Sequence, residues 1–258
     1  MGLHYVIPSS SFTELGWRWM FWIGIIPALI DLIVRLSMPE SAMWEGVSKE
    51  RGINKAPFTT ILRNPAYRLG ALTDVLAMTG IAWVYGLTLG FYPTVLSYHN
   101  FTKFPYFLYV VILVSLLGYL TSGFTSDVIG RRVTMVVFSA TAIALAIPLT
   151  YLILKHAYGF YGTMTLASLL AFLTTGIYGV IPAYLSEKFQ TDVRSTGVGF
   201  SFNGGFILGN WSTVFLLLVS AISNPSFYVY WGLFIIIGEV MILASALLSS
   251  ETKGIELQ

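Results

Sequence analysis

Two carboxyl groups inside long apolar runs are the residues of this 258-residue sequence best placed to do chemistry. Asp74 begins a run without Asp, Glu, Lys or Arg that lasts to Lys103, and Glu239 ends one that starts after Arg194. An ionisable side chain in such surroundings is costly to bury, so each is a functional candidate that can bind and release a proton. For Glu239, a protonated carboxyl that hydrogen-bonds a neighbouring helix is an equally good explanation.

Asp74 shares a helix face with several other functional groups. At 100° per residue, four side chains fall on the same face: Met78, Ile81, Tyr85 and Thr88. A stripe of carboxylate, thioether, phenol and hydroxyl is unusual on a surface that faces only lipid, so it indicates a cavity-lining face. The alternative is a carboxylate near a helix start, stabilised by the helix dipole and within reach of Arg68.

Other polar side chains in apolar surroundings extend this set. Asn203 and Asn210 are seven residues apart and share a helix face. Their amides need partners, so we expect them to face protein or a water-filled cavity. Tyr178 lies four residues before Pro182, which can break or hinge a helix. With no cysteine and three histidines, the sequence predicts no metal site and no cofactor.

The composition is that of a membrane protein. Hydrophobic residues make up 56% of the chain and charged residues 10%, and the mean hydropathy is +0.76. Soluble chains carry about 25% charged residues, because their surface must be solvated. The main partner of this surface is therefore predicted to be the lipid bilayer, and the net charge of +2 indicates no nucleic-acid partner.

Charged residues divide the sequence into apolar runs of about 20 residues or more, the length that crosses a bilayer as a helix. We predict an all-α multi-pass membrane protein with about seven transmembrane helices, at residues 17–36, 69–97, 105–125, 133–154, 160–185, 196–220 and 227–249. The remaining segments are a tail at 1–16, a polar linker at 37–68 and a second tail at 250–258.

The distribution of Lys and Arg predicts the orientation of these helices. Placing 37–68 in the cytoplasm collects eleven of the fourteen basic residues there: Arg35, Lys49, Arg51, Lys55, Arg63, Arg68, Arg131, Arg132, Lys188, Arg194 and Lys253. The N-terminal tail is then outside and the C-terminal tail cytoplasmic. All six lysines fall outside the predicted helices, which excludes a retinal Schiff base. Short connections leave no room for a soluble catalytic domain, so no enzyme is predicted.

One connection combines glycine, acidic and basic residues at a defined spacing. It reads Gly123-x-x-x-Asp127-x-x-Gly130-Arg131-Arg132 and joins the third and fourth predicted helices. The glycines predict a tight turn, and Asp127 can accept hydrogen bonds from backbone N–H groups at the start of the next helix. A turn that also carries a positive-inside signal is the simplest explanation.

This motif resembles the cytoplasmic loop motif of the major facilitator superfamily. Three other parts of the chain are similar to family segments and occur in the family's order: residues 16–21 with 39–41, then 187–197, then 251–254. They resemble helix six and the segment after it, the loop between helices ten and eleven, and the tail after helix twelve. The resemblance implies that 17–36 is family helix six and that 69–249 is the six-helix bundle of helices seven to twelve.

The resemblance also implies a function: proton-coupled secondary transport of a small polar solute across the plasma membrane by alternating access, with an amino-terminal half that this chain lacks. The substrate or proton pathway then includes Asp74, Tyr85, Thr88, Tyr178, Asn203, Asn210 and Glu239. The cytoplasmic gating motif comprises Gly123, Asp127, Gly130, Arg131, Arg132, Glu187 and Arg194. The choice between an organic acid and a sugar stays open. The alternative function is none: a truncated, non-transporting fragment, or one chain of a split transporter.

Overall fold

The computed structural model describes residues 17–39, 42–51, 54–94, 104–155, 158–222 and 227–254. All regular structure within these ranges is helical. The chain divides into two compact units, Met1–Gly52 and Ile53–Gln258. The predicted tail at 1–16 and the end of the second tail, 255–258, lie outside the described residues.

The described part of the first unit contains the helices α1 (Trp17–Ser37) and α2 (Ala42–Arg51). α1 coincides with the first predicted transmembrane helix at 17–36, and its crossing of a membrane stays a prediction. Asp31 and Arg35 form an exposed ion pair one turn apart on α1, with 2.9 Å between the carboxylate and Nε. Lys49 and Glu45 form a similar exposed pair on α2, at 3.4 Å.

The second unit is a helix bundle. Its described helices are α3 (Pro57–Arg63), α4 (Pro65–Leu87), α5 (Phe104–Ile129), α6 (Arg131–Leu154), α7 (Gly159–Gly176), α8 (Ile181–Ser186), α9 (Thr191–Gly209), α10 (Ser212–Ile222) and α11 (Phe227–Leu248). A single 3₁₀ turn, Ile177–Gly179, stands between α7 and α8.

Six segments of the described chain are long and apolar enough to cross a membrane: Pro65–Thr94, Pro105–Ile129, Arg131–Leu154, Gly159–Ser186, Thr191–Val219 and Phe227–Leu248. They coincide with the last six predicted transmembrane helices, and the predicted all-α multi-pass membrane fold is confirmed. Several extend further than predicted, because helix ends at the membrane surface can hold charged residues such as Asp127 and Arg131.

The start of α4 shows how local sequence moves such an end. Asn64 precedes Pro65, and its side chain accepts a hydrogen bond from the Ala66 N–H at 3.0 Å. Asparagine at the N-cap and proline at the first helical position both favour a helix start. α4 therefore begins one turn before the predicted position 69.

α4 is the central helix of the bundle. It packs against α9 and α11, while α6 packs on α11 and α5 packs on α7. Trp83 Nε1 donates to the Phe234 carbonyl oxygen at 2.8 Å, and Trp231 Nε1 donates to the Leu87 carbonyl oxygen at 2.7 Å. These bonds satisfy two buried indole groups and join α4 to α11 across the core.

A glycine seam brings α9 directly onto α4. A Cβ atom added at Gly205 would collide with Met78 and lie 2.8 Å from the Thr79 nitrogen, and one added at Gly209 would lie 2.6 Å from the Ala82 Cβ atom. Residues without side chains allow this approach of two helix backbones in a membrane. We call Gly205 and Gly209 with their α4 neighbours the glycine seam.

Two of the predicted transmembrane helices, 160–185 and 196–220, contain an interruption; Pro182 indicated one in the first, and none was predicted in the second. The first is broken by the 3₁₀ turn Ile177–Gly179, and Pro182 stands in the first turn of α8. The second is broken at Asn210 and Trp211, between α9 and α10. Proline cannot supply a backbone N–H, so the first break has a local cause. The second follows Gly209, which packs directly on α4.

Candidate functional site

Arg131, the first residue of α6, is the centre of a charged cluster at one end of the bundle. Its Nη2 donates to Glu187 Oε1 at 3.0 Å, its Nη1 donates to Ser126 Oγ at 2.8 Å, and Nη1 also pairs with Asp127. The Arg131 and Glu187 side chains are 12% and 13% exposed, whereas Asp127 is 67% exposed. Because water screens exposed ion pairs, Glu187 constrains Arg131 more strongly than Asp127 does.

The loop motif is helical over most of its length, which corrects the predicted tight turn. α5 continues through Gly123 and Asp127 to Ile129, and Gly130 then leaves the helical conformation with φ of 105°. Gly123 lies inside α5, where an added Cβ would be 3.5 Å from the Gly179 carbonyl oxygen. The turn between α5 and α6 therefore depends on Gly130, and Gly123 lies where α5 approaches the 3₁₀ turn.

Glu251, in the tail after α11, binds the start of α6. Its Oε1 accepts the Arg131 N–H at 2.8 Å and its Oε2 accepts the Arg132 N–H at 3.1 Å. The sequence predicted Asp127 in this role, but Asp127 pairs with a side chain instead. Burial alone would raise the pKa of Glu251. Hydrogen bonds from four backbone N–H groups outweigh burial and hold the pKa below its usual 4.5. The donors are those of Lys253, Arg131, Arg132 and Thr252.

The same tail makes two further contacts here. Thr252 Oγ1 donates to Glu187 Oε2 at 2.6 Å, and Lys253 Nζ donates to the Val128 carbonyl oxygen at 2.6 Å. The motif, the end of α8 and the tail thus form one connected set. We call Asp127, Arg131, Glu187, Glu251 and Thr252 the Arg131 cluster.

The two other arginines of the predicted gating motif bind backbone carbonyl groups. Arg132 Nη2 donates to the Leu247 carbonyl oxygen at 3.3 Å. Arg194, on α9, donates from Nε to the Phe189 carbonyl oxygen at 3.1 Å and so holds the connection between α8 and α9.

A second, more deeply buried ion pair joins α4 to that connection. Lys188 Nζ donates to Asp74 Oδ1 at 2.6 Å, to Thr73 Oγ1 at 3.0 Å and to Ser249 Oγ at 3.0 Å, and it lies 3.6 Å from the centre of the Tyr184 ring. The Lys188 side chain is 8% exposed and that of Asp74 is 0% exposed. An ammonium group has three N–H donors, so those of Lys188 are all used. Oδ2 of Asp74 has no partner among the described residues.

Buried hydroxyl groups extend this contact into α11. The Tyr184 hydroxyl donates to Ser249 Oγ at 2.8 Å and lies 3.0 Å from Ser245 Oγ, and Ser245 Oγ donates to the Thr73 carbonyl oxygen at 2.7 Å. One hydrogen-bonded set therefore joins α4, α8 and α11. We call Asp74, Lys188, Ser249, Tyr184 and Ser245 the Lys188 network.

A cavity of about 450 Å³ adjoins the Lys188 network. It lies between the start of α4, the connection from α8 to α9, and the tail. Its polar lining includes Thr73, Glu187, Lys188, Gln190, Arg194 and Ser249. The cavity contains both signs of charge, and its size is within the range of small-molecule sites.

The predicted stripe on α4 is not one cavity-lining face. Asp74, Met78, Ile81 and Thr88 are buried, and Tyr85 is 44% exposed. The Thr88 hydroxyl donates to the Val84 carbonyl oxygen at 2.7 Å, within its own helix. Because α9 and α11 both pack against α4, most faces of this helix are covered, and exposure cannot be read from its periodicity.

Tyr85 belongs to a different surface, with tyrosines from two neighbouring elements. Tyr119 on α5 and Tyr178 in the 3₁₀ turn have ring centroids 5.8 Å apart, and both lie near Tyr85. The Tyr178 ring also contacts Phe202 on α9, with centroids 6.5 Å apart. We call Tyr85, Tyr119 and Tyr178 the tyrosine cluster.

The two predicted asparagines are exposed in the described bundle. Asn203 Nδ2 donates to the Gly199 carbonyl oxygen at 2.8 Å, one turn earlier on α9. Asn210 lies at the break after α9, where its backbone N–H bonds the Phe206 carbonyl oxygen. That their side chains face a cavity or another protein surface stays a prediction.

Glu239 is buried in α11, away from any ion pair of the described residues. The Ser139 side chain on α6 lies beside it, but neither carboxyl oxygen has a hydrogen-bond partner in the described part of the chain. Among the described residues, no three His, Cys, Asp or Glu side chains are grouped as metal ligands would be.

Lys188 and Glu251 were not predicted as members of a charged site. Lys188 follows the motif residue Glu187, but nothing in its neighbours marks it as buried, since its partner Asp74 is 114 residues away. Glu251 carried a signal, because it opens the tail segment at 251–254 that resembles a family segment.

Comparisons with known proteins identify what this arrangement is similar to. A family model described as Major Facilitator Superfamily matches residues 6–213. The chain is 29% identical to a probable 4-methylmuconolactone transporter of Cupriavidus pinatubonensis, over 95% of this chain and 56% of that protein. It is 27% identical to the sialic acid transporter of Escherichia coli, over 94% and 56% of the two chains. It is also 27% identical to the alpha-ketoglutarate permease of Escherichia coli, over 99% and 58%.

These matches confirm the resemblance drawn from the loop motif, and with it the prediction that the chain is not an enzyme. The chain spans little more than half the length of the relatives that it matches.

Proposed function

Because the chain belongs to the Major Facilitator Superfamily, we propose that it is one half of a secondary transporter that carries a small organic acid by alternating access. In this proposal, residues 69–249 are the carboxyl-terminal six-helix bundle and 17–36 is the helix before it. An amino-terminal half completes the solute pathway between the two bundles. The protein lies in the plasma membrane with its N-terminus outside and its C-terminus in the cytoplasm.

An organic acid is favoured over a sugar by the relatives. The substrates in their names are 4-methylmuconolactone, sialic acid and alpha-ketoglutarate. The alternative is a membrane fragment that transports no solute.

The observation that carries the proposal is the tyrosine cluster. Tyr85 is exposed, and Tyr119 and Tyr178 are partly exposed, on a bundle that otherwise presents many apolar side chains to its surroundings. The Tyr119 hydroxyl bonds the Thr175 side chain. Lipid offers no hydrogen-bond partners, so the hydroxyl groups of Tyr85 and Tyr178 need a polar neighbour at this surface. A solute pathway against a second bundle supplies one, and hydroxyl groups can orient a small carboxylate there.

Uptake into vesicles tests the proposal. The chain is expressed alone and with an amino-terminal half from a relative, and accumulation of labelled alpha-ketoglutarate, sialic acid and glucose is measured. We expect uptake of an acid, not of glucose, and only with both halves. Tyr178→Phe removes one hydroxyl and should weaken solute affinity about tenfold, whereas Tyr161→Phe, exposed on α7, is the matched control. No uptake of any acid with both halves present would favour the non-transporting fragment.

We further propose that Asp74 is the proton-coupling group, because it is a buried carboxylate whose Oδ2 has no hydrogen-bond partner among the described residues. In vesicles with an imposed pH gradient, Asp74→Asn should abolish accumulation but permit counterflow exchange of labelled solute. Glu239→Gln should retain accumulation, because this carboxyl has no cationic partner among the described residues. The reverse pattern would move the coupling site to α11.

A further inference from the structure

Two consecutive side chains after α8 bind two different helices. Glu187 pairs with Arg131 at the start of α6, at 3.0 Å, and Lys188 pairs with Asp74 on α4, at 2.6 Å. The tail repeats this arrangement, because Ser249 bonds Lys188 and Thr252 bonds Glu187. The Arg131 cluster and the Lys188 network therefore meet at a single peptide unit.

We propose that Lys188 is a positioning residue that joins Asp74 to the Arg131 cluster, so that the two ion pairs form and break together as one double latch. This inference rests on the proposed function, because a latch serves a protein that alternates between two conformations. It assigns to Lys188, rather than to the loop motif alone, half of the contact that closes this end of the bundle.

The short link between the two pairs is the physical basis of the coupling. Neighbouring Cα atoms are about 3.8 Å apart, so a shift of this connection that releases Glu187 also moves Lys188. Asp74 would then be left buried without its cation, which is strongly unfavourable unless Asp74 is neutralised or the site opens. The two pairs therefore cooperate. If only one pair breaks, its buried charge is left without a partner, while the intact pair still prevents this end of the bundle from opening.

The elements around the connection permit such a movement. The 3₁₀ turn Ile177–Gly179 and Pro182 precede it, and these interrupt the helix on the side away from α9. The cavity of about 450 Å³ beside Lys188 provides space into which its side chain can move.

Cysteine modification tests the latch without solute. The chain contains no cysteine, so single cysteines report without background. Gly70→Cys lies beside the Lys188 network, since an added Cβ would be 3.6 Å from the Lys188 Cβ atom. Thr134→Cys is fully buried one turn after Arg131. N-ethylmaleimide, which crosses membranes, is applied to the full chain in its membrane, and rates are normalised to the exposed reference Tyr158→Cys, which lies outside both clusters.

We expect each ion pair to control both reporters. Lys188→Gln should raise the modification rate about tenfold or more at Gly70→Cys and also at Thr134→Cys, and Arg131→Gln should do the same. Lys188→Arg, which keeps the charge, should restore slow modification at both. Lys49→Gln, which removes a lysine from the exposed pair on α2, should leave both rates within about twofold.

A purely local role for Lys188 gives a different pattern. If Lys188→Gln accelerates modification at Gly70→Cys alone, or at neither reporter, the proposal is overturned. Where the unpaired Asp74 keeps Lys188→Gln from inserting in the membrane, the double variant Asp74→Asn/Lys188→Gln removes both charges and should still accelerate both reporters; a local effect there overturns the proposal equally. Since no solute is needed, failure of the latch and failure of transport are separate results.

Discussion

The Glu251 carboxylate and the Arg131 backbone N–H are 120 residues apart in the sequence and 2.8 Å apart in the structure. With the neighbouring bond to the Arg132 N–H, this contact satisfies two of the backbone donors that a helix start leaves without a partner. Negative charge is also favoured at this end of a helix. The tail after α11 is therefore part of the structure of the loop motif.

Removing this carboxylate should destabilise the bundle. Glu251→Ala leaves the first two N–H groups of α6 without their partner, and we expect the free energy of unfolding in detergent to fall by about 1 kcal/mol. Glu45→Ala, which removes an exposed carboxylate from α2, is the control and should have a smaller effect. Equal losses in the two variants would show that Glu251 contributes no more than a surface charge.

The same contact should depend on pH with a defined sign. The pKa of Glu251 is lower in the folded protein than its usual 4.5, so its contribution to stability is complete above that value and is lost as the pH falls through the lowered pKa. The difference in thermal midpoint between the unaltered chain and Glu251→Gln should be constant from about pH 7 to 5 and shrink towards about pH 3. A difference that widens on acidification would contradict this assignment.

Gly130 and Gly254 provide a matched pair of glycine substitutions. Both have positive φ, of 105° and 82°, so alanine is strained at either position by about 1–3 kcal/mol, and the ψ of 155° at Gly130 belongs to a region that is almost exclusive to glycine. An added Cβ at Gly130 would also lie 2.9 Å from the Glu251 carboxyl carbon, whereas at Gly254 it meets nothing within 4 Å. Gly130→Ala should therefore lower the thermal midpoint more than Gly254→Ala does, and similar midpoints would mean that the Glu251 contact is loose.

The two acidic partners of Arg131 should differ in their effect on transport. Glu187 is largely buried and Asp127 is largely exposed, so Glu187→Gln should slow solute uptake by the completed protein more than Asp127→Asn. Both should leave solute affinity near its original value, because neither residue lies in the tyrosine cluster. Initial rates over a range of solute concentrations separate the two quantities, and a changed affinity with an unchanged maximal rate would argue against a gating role.

Labelling of exposed cysteines should report the orientation. Val128, within the motif, is 58% exposed and Tyr158, before α7, is 67% exposed, whereas the motif residue Ser126 is buried. An impermeant maleimide should label Val128→Cys only from the cytoplasm and Tyr158→Cys only from outside, as the distribution of Lys and Arg predicts. Labelling of both cysteines from the same side would show that α6, the helix between them, does not cross the membrane.

The fold was largely predictable because lipid imposes a single simple requirement on the chain. A run without charge in lipid is expected to form a helix long enough to cross the membrane. The six runs between Pro65 and Leu248 all form such helices. Pro182 indicated the break in one of them, whereas the break at Asn210 and Trp211 was not predicted. At Asn210 and Trp211 the surrounding residues are as apolar as those of a continuous helix, and the interruption follows the close contact of Gly209 with α4, a tertiary effect.

The candidate site was predictable only in part, for a different reason. The loop motif placed Asp127 and Arg131 four residues apart, so their pairing is a local contact across the turn at Gly130. The burial of Lys188 could not be predicted from local sequence, because it depends on α4 and α11 closing over the side chain. The periodicity of α4 was also insufficient: it placed Asp74 and Tyr85 on one face, but neighbouring helices bury the first and leave the second exposed.

The glycine seam restricts how this bundle can change shape. Since a single methyl group at Gly205 or Gly209 would overlap atoms of α4, these two helices cannot move closer, and separating them would open a void in the membrane interior. α4 and α9 are thus constrained to move as one rigid body. Displacement at one end of the pair is carried to the other along their shared length, and bending is left to the interruptions at Ile177–Gly179 and at Asn210.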